Sequence, residues 1–160
     1  MKYIATVVIV CSAIASAHAN ATMTTKVINQ TKSNITINAL GTPQITIHPG
    51  ASFIVDYSKW PYSFSGFGVT APDNPLLFMQ YLHPILNVFA FPPEARLGAY
   101  KLNVTDLDAQ KNGIAYTQQK DAKPVVSGIC SVIDDSGDVE CTGYENISVT
   151  ISDGAPPSSH

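Results

Sequence analysis

Polar and apolar residues alternate along much of the chain in short runs. Thr24-Thr25-Lys26-Val27-Ile28-Asn29, Asn34-Ile35-Thr36-Ile37-Asn38, Gln44-Ile45-Thr46-Ile47-His48 and Ala51-Ser52-Phe53-Ile54-Val55-Asp56-Tyr57 follow a period of two, the pattern of strands with one buried and one solvated face. Gln30-Thr31-Lys32-Ser33 and Pro49-Gly50 have the composition of turns, so the opening reads as two consecutive hairpins. Tyr100–Thr105, Val125–Ile133 and Glu145–Ile151 add further strands. Runs of this length with Gly, Pro and Asn between them predict an all-β domain, an antiparallel sandwich of about seven to ten strands or a partly open barrel. The domain is expected over residues 20–152, with a polar tail at 153–160.

The central third breaks this rhythm. Eight of the fourteen aromatic residues fall between Trp60 and Phe91. Asn74 followed by Pro75 has the form of a helix cap and first helical position, and Pro84 would end such a helix. Leu76–Leu82 and Ile85–Phe91 also read as two buried strands, and periodicity does not separate the two for runs this short. The strand-rich surroundings favour strands. Trp60-Pro61-Tyr62-Ser63-Phe64 reads as a loop presenting Trp60, Tyr62 and Phe64, either to a sugar or partner or as a roof over one end of the core.

The first nineteen residues follow another pattern. Lys2, an apolar run from Ile4 to Ile14, and Ala17-His18-Ala19 make a secretory signal peptide, too short for a spanning helix. Cleavage after Ala19 leaves 141 of the 160 residues, takes the net charge from −3 to −4 by removing Lys2, and removes Cys11 from a set of three cysteines. The two that remain, Cys130 and Cys141, flank two strand-like arms around Asp134-Asp135-Ser136-Gly137. Folding the segment about that turn sets 133 opposite 138, 132 opposite 139 and 130 opposite 141, so a hairpin disulfide is expected. A zinc site would need two further ligands, and no histidine stands near in sequence.

The low charge, 13% of residues, and the scattering of the basic ones exclude the basic footprint of a nucleic-acid binder. They also leave no polybasic patch for an anionic membrane. Pro84, Pro92 and Pro93 interrupt the 76–91 run as a membrane-inserting segment.

No Gly-x-Ser-x-Gly, His-Glu-x-x-His or phosphate-binding glycine loop occurs, and His48, His83 and His160 belong to no nucleophile–base set. Among Asp56, Asp73, Glu94, Asp106, Asp108 and the 134–138 cluster, no acid/base pair can be assigned by position. Asp108-Ala109-Gln110-Lys111-Asn112-Gly113 spaces oxygen ligands as a calcium loop does, but Gln119 stands where a bidentate Glu is needed. Sequons at Asn29, Asn34, Asn103 and Asn146, with a fifth at Asn20, offer glycosylation sites.

The runs Val27-Ile28-Asn29, Ile35-Thr36-Ile37 and Ile45-Thr46-Ile47-His48-Pro49-Gly50-Ala51-Ser52-Phe53, with the late pair Cys130 and Cys141 and an alternating last strand, resemble thaumatin-like secreted β-sandwiches. The likeness is greatest to small fungal and yeast-phase-specific members. It implies a secreted sandwich. The chain has two mature cysteines where that family has many and no identifiable acidic cleft, so glucanase or antifungal activity is not implied. The expectation is a secreted, non-enzymatic interaction protein, an effector or binding module without cofactor or metal, engaging a protein or glycan at the cell surface. The alternatives are a carbohydrate-binding or weakly glycan-hydrolysing protein, and a structural component of a wall or coat.

Overall fold

In the computed structural model, the described residues are 23–39, 43–59, 66–71, 74–82, 85–90, 100–117, 123–133, 135 and 138–154. The leader, the loop 60–65, His83 and the end of the tail lie outside them. Thirteen strands are present among the described residues, more than the seven to ten expected: β1 Thr24–Gln30, β2 Ile35–Asn38, β3 Ile45–Ile47, β4 Ser52–Asp56, β5 Gly66–Ala71, β6 Asn74–Leu82, β7 Ile85–Ala90, β8 Tyr100–Asp106, β9 Lys111–Thr117, β10 Val125–Gly128, β11 Cys130–Val132, β12 Val139–Tyr144 and β13 Asn146–Asp153. A 3-10 turn, Tyr57–Lys59, follows β4. Of the two readings of residues 74–83, the strand is the one adopted.

Two sheets pack face to face. One runs β10-β9-β8-β13-β1-β4, the other β11-β12-β7-β6-β5-β2-β3. Every pairing is antiparallel except that of β1 with β13, which is parallel over seven residue pairs from Thr24/Asn146 to Gln30/Ser152. The period of two becomes alternating burial: Tyr100, Leu102, Val104 and Asp106 of β8 face inward, as do Ile147, Val149 and Ile151 of β13. Val27, Val55, Leu77, Met79, Leu86 and Val88 join them in one core.

The two opening hairpins are not formed as expected. β1 pairs with β13 and β4, whereas β2 pairs with β3 and β5. The chain therefore changes sheet at 31–34 and again at 48–51. Asn29 is the reason. It occupies the inward phase of β1 and is fully buried. Its Nδ2 donates to the carbonyls of Ser33 and Ile47, both at 2.8 Å, while its Oδ1 accepts from Thr31 N at 2.9 Å and Thr31 Oγ1 at 2.7 Å. The backbone of Asn29 bonds Gly50 N and Ala51 O. One amide thus ties both crossing segments, satisfying buried polar groups that a turn in mid-crossing would otherwise leave open.

The predicted strand 125–133 is likewise two strands in different sheets. It bends at Gly128, whose φ is +66° and where a Cβ would collide with the Asn112 carbonyl. Ile129 then bonds both sheets, its N–H to Asn112 O of β9 and its carbonyl to Thr142 N of β12. Corners of packed sheets are built by strands that switch layers in this way. The 108–113 segment, which spaces oxygen ligands as a calcium loop does, is the β8–β9 turn and the start of β9: Lys111, Asn112 and Gly113 pair with β8.

The cysteine hairpin has the expected register, Cys130↔Cys141, Ser131↔Glu140 and Val132↔Val139, and the disulfide is formed. Hydrogen bonds at Ile129/Thr142 and Ile133/Asp138 place the cysteines at a non-hydrogen-bonded pair, where cross-strand side chains approach most closely. Both are buried. The bridge faces the other sheet at Gly113, where a Cβ would lie 2.6 Å from Cys130 Sγ and 2.6 Å from Ile129 Cγ1.

Candidate functional site

One end of the sandwich gathers the start of β1, the end of β4, the β6–β7, β8–β9 and β12–β13 connections, and both stubs of the loop 60–65. Tyr57 begins the 3-10 turn there. It stacks on Tyr81 of β6 with ring centroids 5.1 Å apart and 21° between planes, and meets Phe67 of β5 at 6.5 Å. The Tyr57 and Thr25 hydroxyls are bonded at 2.8 Å, and the Tyr81 hydroxyl donates to Met23 Sδ. Burial raises the Tyr57 pKa far above its ordinary value; the Thr25 hydrogen bond acts in the opposite direction and the neighbouring Tyr81 adds to the rise. Tyr81 is raised too, by burial and then by Glu145. Both phenols are therefore neutral at physiological pH and serve as rigid, oriented rings.

At the same end, on the outer face of β12, Tyr144 stands 51% exposed at the β12–β13 turn, where Glu145 takes a φ of +45°. Two aspartates clamp that turn. Asp106, 2% exposed, accepts from Tyr144 N through Oδ2 at 3.0 Å and from Asp108 N and Ala109 N through Oδ1 at 3.0 and 2.8 Å. Asp108 accepts from Asn146 N at 3.0 Å. The backbone amides of the two tight turns occupy these carboxylates, so Asp106 and Asp108 act as turn anchors. Asp56 pairs with Lys59 at 3.1 Å. Among the described residues, no three His, Cys, Asp or Glu side chains gather as a metal site.

Trp60, Tyr62 and Phe64 lie outside the described residues, but the loop that carries them leaves from Lys59 and re-enters at Gly66, beside the tyrosine pair. Reading by sequence missed Tyr57, Tyr81 and Tyr144 as members of this group. Tyr57 and Tyr81 looked like ordinary strand positions, and Tyr144 had no signal but its place next to the strand end.

The sequons separate clearly. Asn29, proposed above as a glycan acceptor, is a correction: it is fully buried and both amide hydrogens are donated to carbonyls, leaving no room for a sugar in the fold. Asn146 is half-buried, its Oδ1 accepting from Thr24 N and Oγ1 and its Nδ2 held on the Asp108 carboxylate. Asn103 is half-buried in mid-strand between Thr150 and Ile114. Asn34 is exposed at the start of β2, with its Oδ1 3.0 Å from His48 Nδ1.

No family model, curated protein or solved structure matches the chain, so the likeness to thaumatin-like sandwiches rests on the residues that suggested it.

Proposed function

We propose that the protein is an exported, non-enzymatic binding module that engages a cell-surface partner through the aromatic end of its sandwich. The observation that carries this reading is the concentration there of fixed aromatic side chains. A stacked Tyr57–Tyr81 pair with both hydroxyls tied stands at the root of an aromatic loop, and the same end carries an exposed Tyr144 on an anchored turn. Rigid aromatics with little rotamer freedom left to lose are the side chains that dominate recognition surfaces. The signal-peptide pattern and a buried disulfide support an oxidising, extracellular destination.

The test is binding of the purified protein to intact cells and to an arrayed panel of surface proteins and glycans. Trp60→Ala and Tyr144→Ala each lower the retained fraction at least tenfold, with far-UV circular dichroism unchanged. Equal binding by wild type and both variants refutes the reading.

A further inference from the structure

The outer face of the seven-stranded sheet carries a feature that the aromatic end does not explain. Phe78 of β6 and Phe89 of β7 stand directly opposite each other and both point away from the core, since their neighbours Leu77, Met79, Val88 and Ala90 are buried. Phe78 is 37% exposed. A directly opposed pair has its Cβ atoms about 5 Å apart, so the two rings form one apolar strip in the middle of the sheet.

Two glycines of β5 continue the strip. Gly66 has a structural explanation, because Phe78 lies over it and a Cβ there would meet the ring at 2.6 Å. Gly68 has none. Among the described residues, a Cβ at Gly68 would find only the Asn38 carbonyl, 3.9 Å away. Its φ is not in the left-handed range, and the bulge in this strand falls after it, between Val69 and Thr70. A glycine in the interior of a central strand weakens the strand and marks a place that another group approaches closely. Here it leaves a clearing directly beside Phe78, its partner across the ladder.

Uncharged hydrogen-bonding groups flank the strip on one side and close its end opposite Gly68. Thr142, Asn87 and Gln80 form one row across β12, β7 and β6, about 7 Å along the strands from the rings. Asn38, Gln44 and Thr70 are linked beyond Gly68, with Gln44 donating to Asn38 Oδ1 at 2.8 Å and Asn38 to Thr70 Oγ1 at 3.1 Å. Glu140, opposite Phe89 at the β12 end of the strip, is the sole charged side chain among the described outward positions of this sheet.

We propose that this face is a platform for an uncharged polysaccharide, which lies across β12, β7, β6 and β5, stacks on Phe89 and Phe78 and passes over the Gly68 clearing. The chemistry selects the occupant. Sugar rings offer apolar C–H faces to aromatic side chains and hydroxyls at their edges to amides. A face almost without charge has nothing to complement an anionic or cationic ligand. From β12 to β2 the ladder spans about 19 Å at the usual strand spacing, which suits a chain of several sugars.

The test uses the full chain expressed through an oxidising secretory host, incubated with insoluble cellulose, β-1,3-glucan, chitin and mannan, with polygalacturonate and heparin gels as charged controls. Wild type is depleted by at least one neutral polymer and by neither charged one. Phe89→Ala and Gly68→Val each raise the half-saturating polymer concentration at least tenfold. Gly68→Val separates this reading from misfolding, because a β-branched residue on an extended, open position keeps or raises the melting temperature. Depletion by no neutral polymer, binding only to the charged gels, or undiminished binding by Gly68→Val overturns the proposal. Loss in Trp60→Ala with Gly68→Val unaffected overturns it also, while leaving the aromatic end as the binding surface.

Discussion

Replacing Gly113 by alanine probes how the buried disulfide is seated between the sheets. The new methyl would fall 2.6 Å from Cys130 Sγ and from Ile129 Cγ1, and 3.0 Å from Cys130 N. The Ile129 side chain can turn aside, but the sulfur is held at both ends and the amide belongs to the corner. Overpacking of this kind costs about 1–3 kcal/mol, and the lower chain entropy of the unfolded alanine variant returns about 0.4–1 kcal/mol. The net loss is then roughly 0.5–2.5 kcal/mol, a fall of about 1 M in urea midpoint for a mid-range value.

A double-mutant cycle isolates the sulfur. Cys130→Ala with Cys141→Ala opens a cross-link of sequence separation 11 and costs about 3 kcal/mol in the chain-entropy account, which a domain of ordinary stability survives. With Sγ absent, Gly113→Ala should cost about 1 kcal/mol less than in the bridged protein. The assay is urea unfolding followed by far-UV circular dichroism on all four proteins. An equal cost of Gly113→Ala in both backgrounds, or no cost in the bridged one, would refute the claim that the glycine exists to admit the bridge.

Other outcomes follow from the same structure. Asn29→Ala removes the partner of the buried Ile47 carbonyl and of the Thr31 amide, at about 1–3 kcal/mol for each group left unsatisfied, so its urea midpoint drops further than that of any single substitution on the outer sheet faces. Because burial raises the Tyr57 pKa in the fold, the folded protein holds that proton more tightly than the unfolded chain. Stability is therefore fully present below about pH 10 and falls as pH climbs above it; urea midpoints measured from pH 8 to 11 show a shallower fall in Tyr57→Phe. In a eukaryotic secretory host, peptide mapping of the folded product finds a glycan on Asn34 and none on Asn29. The intact mass of the unmodified chain is lower than that of its reduced form by two hydrogen atoms.

Alternation made most strands legible, and a hairpin with fixed register followed from the positions of two cysteines. Which sheet each strand joins was not legible, because a period of two reports that one face is buried and not what covers it. The 30–33 and 49–50 segments have turn residues in either case. The available clue was phase: Thr25, Val27 and Asn29 share the buried side of β1, and a polar residue in a buried phase announces a network. Asp106 in β8 sends the same signal. β9 was invisible for another reason. Its inward residues are Gly113, Ala115 and Thr117, small because the bridge and the corner crowd them, while the bulky Ile114 and Tyr116 lie on the outer face. The contacts of Tyr57 with Tyr81 and Phe67 bring the turn after β4 against β6 and β5, so these residues cannot be recognised one at a time.

The parallel pairing of β1 with β13 has a consequence for how the chain is made. The first and last strands lie side by side, with β13 inserted between β8 and β1. Until β13 has been made, the six-stranded sheet is two fragments, each with an open edge able to pair with another molecule. Assembly of this sheet must therefore wait for β13, and its sequence-distant contacts make it slow. The same pairing sends the two ends out of opposite poles, about 20 Å apart over seven residue pairs. A fusion at the start of β1 would crowd the aromatic end; one placed after β13 would leave it clear.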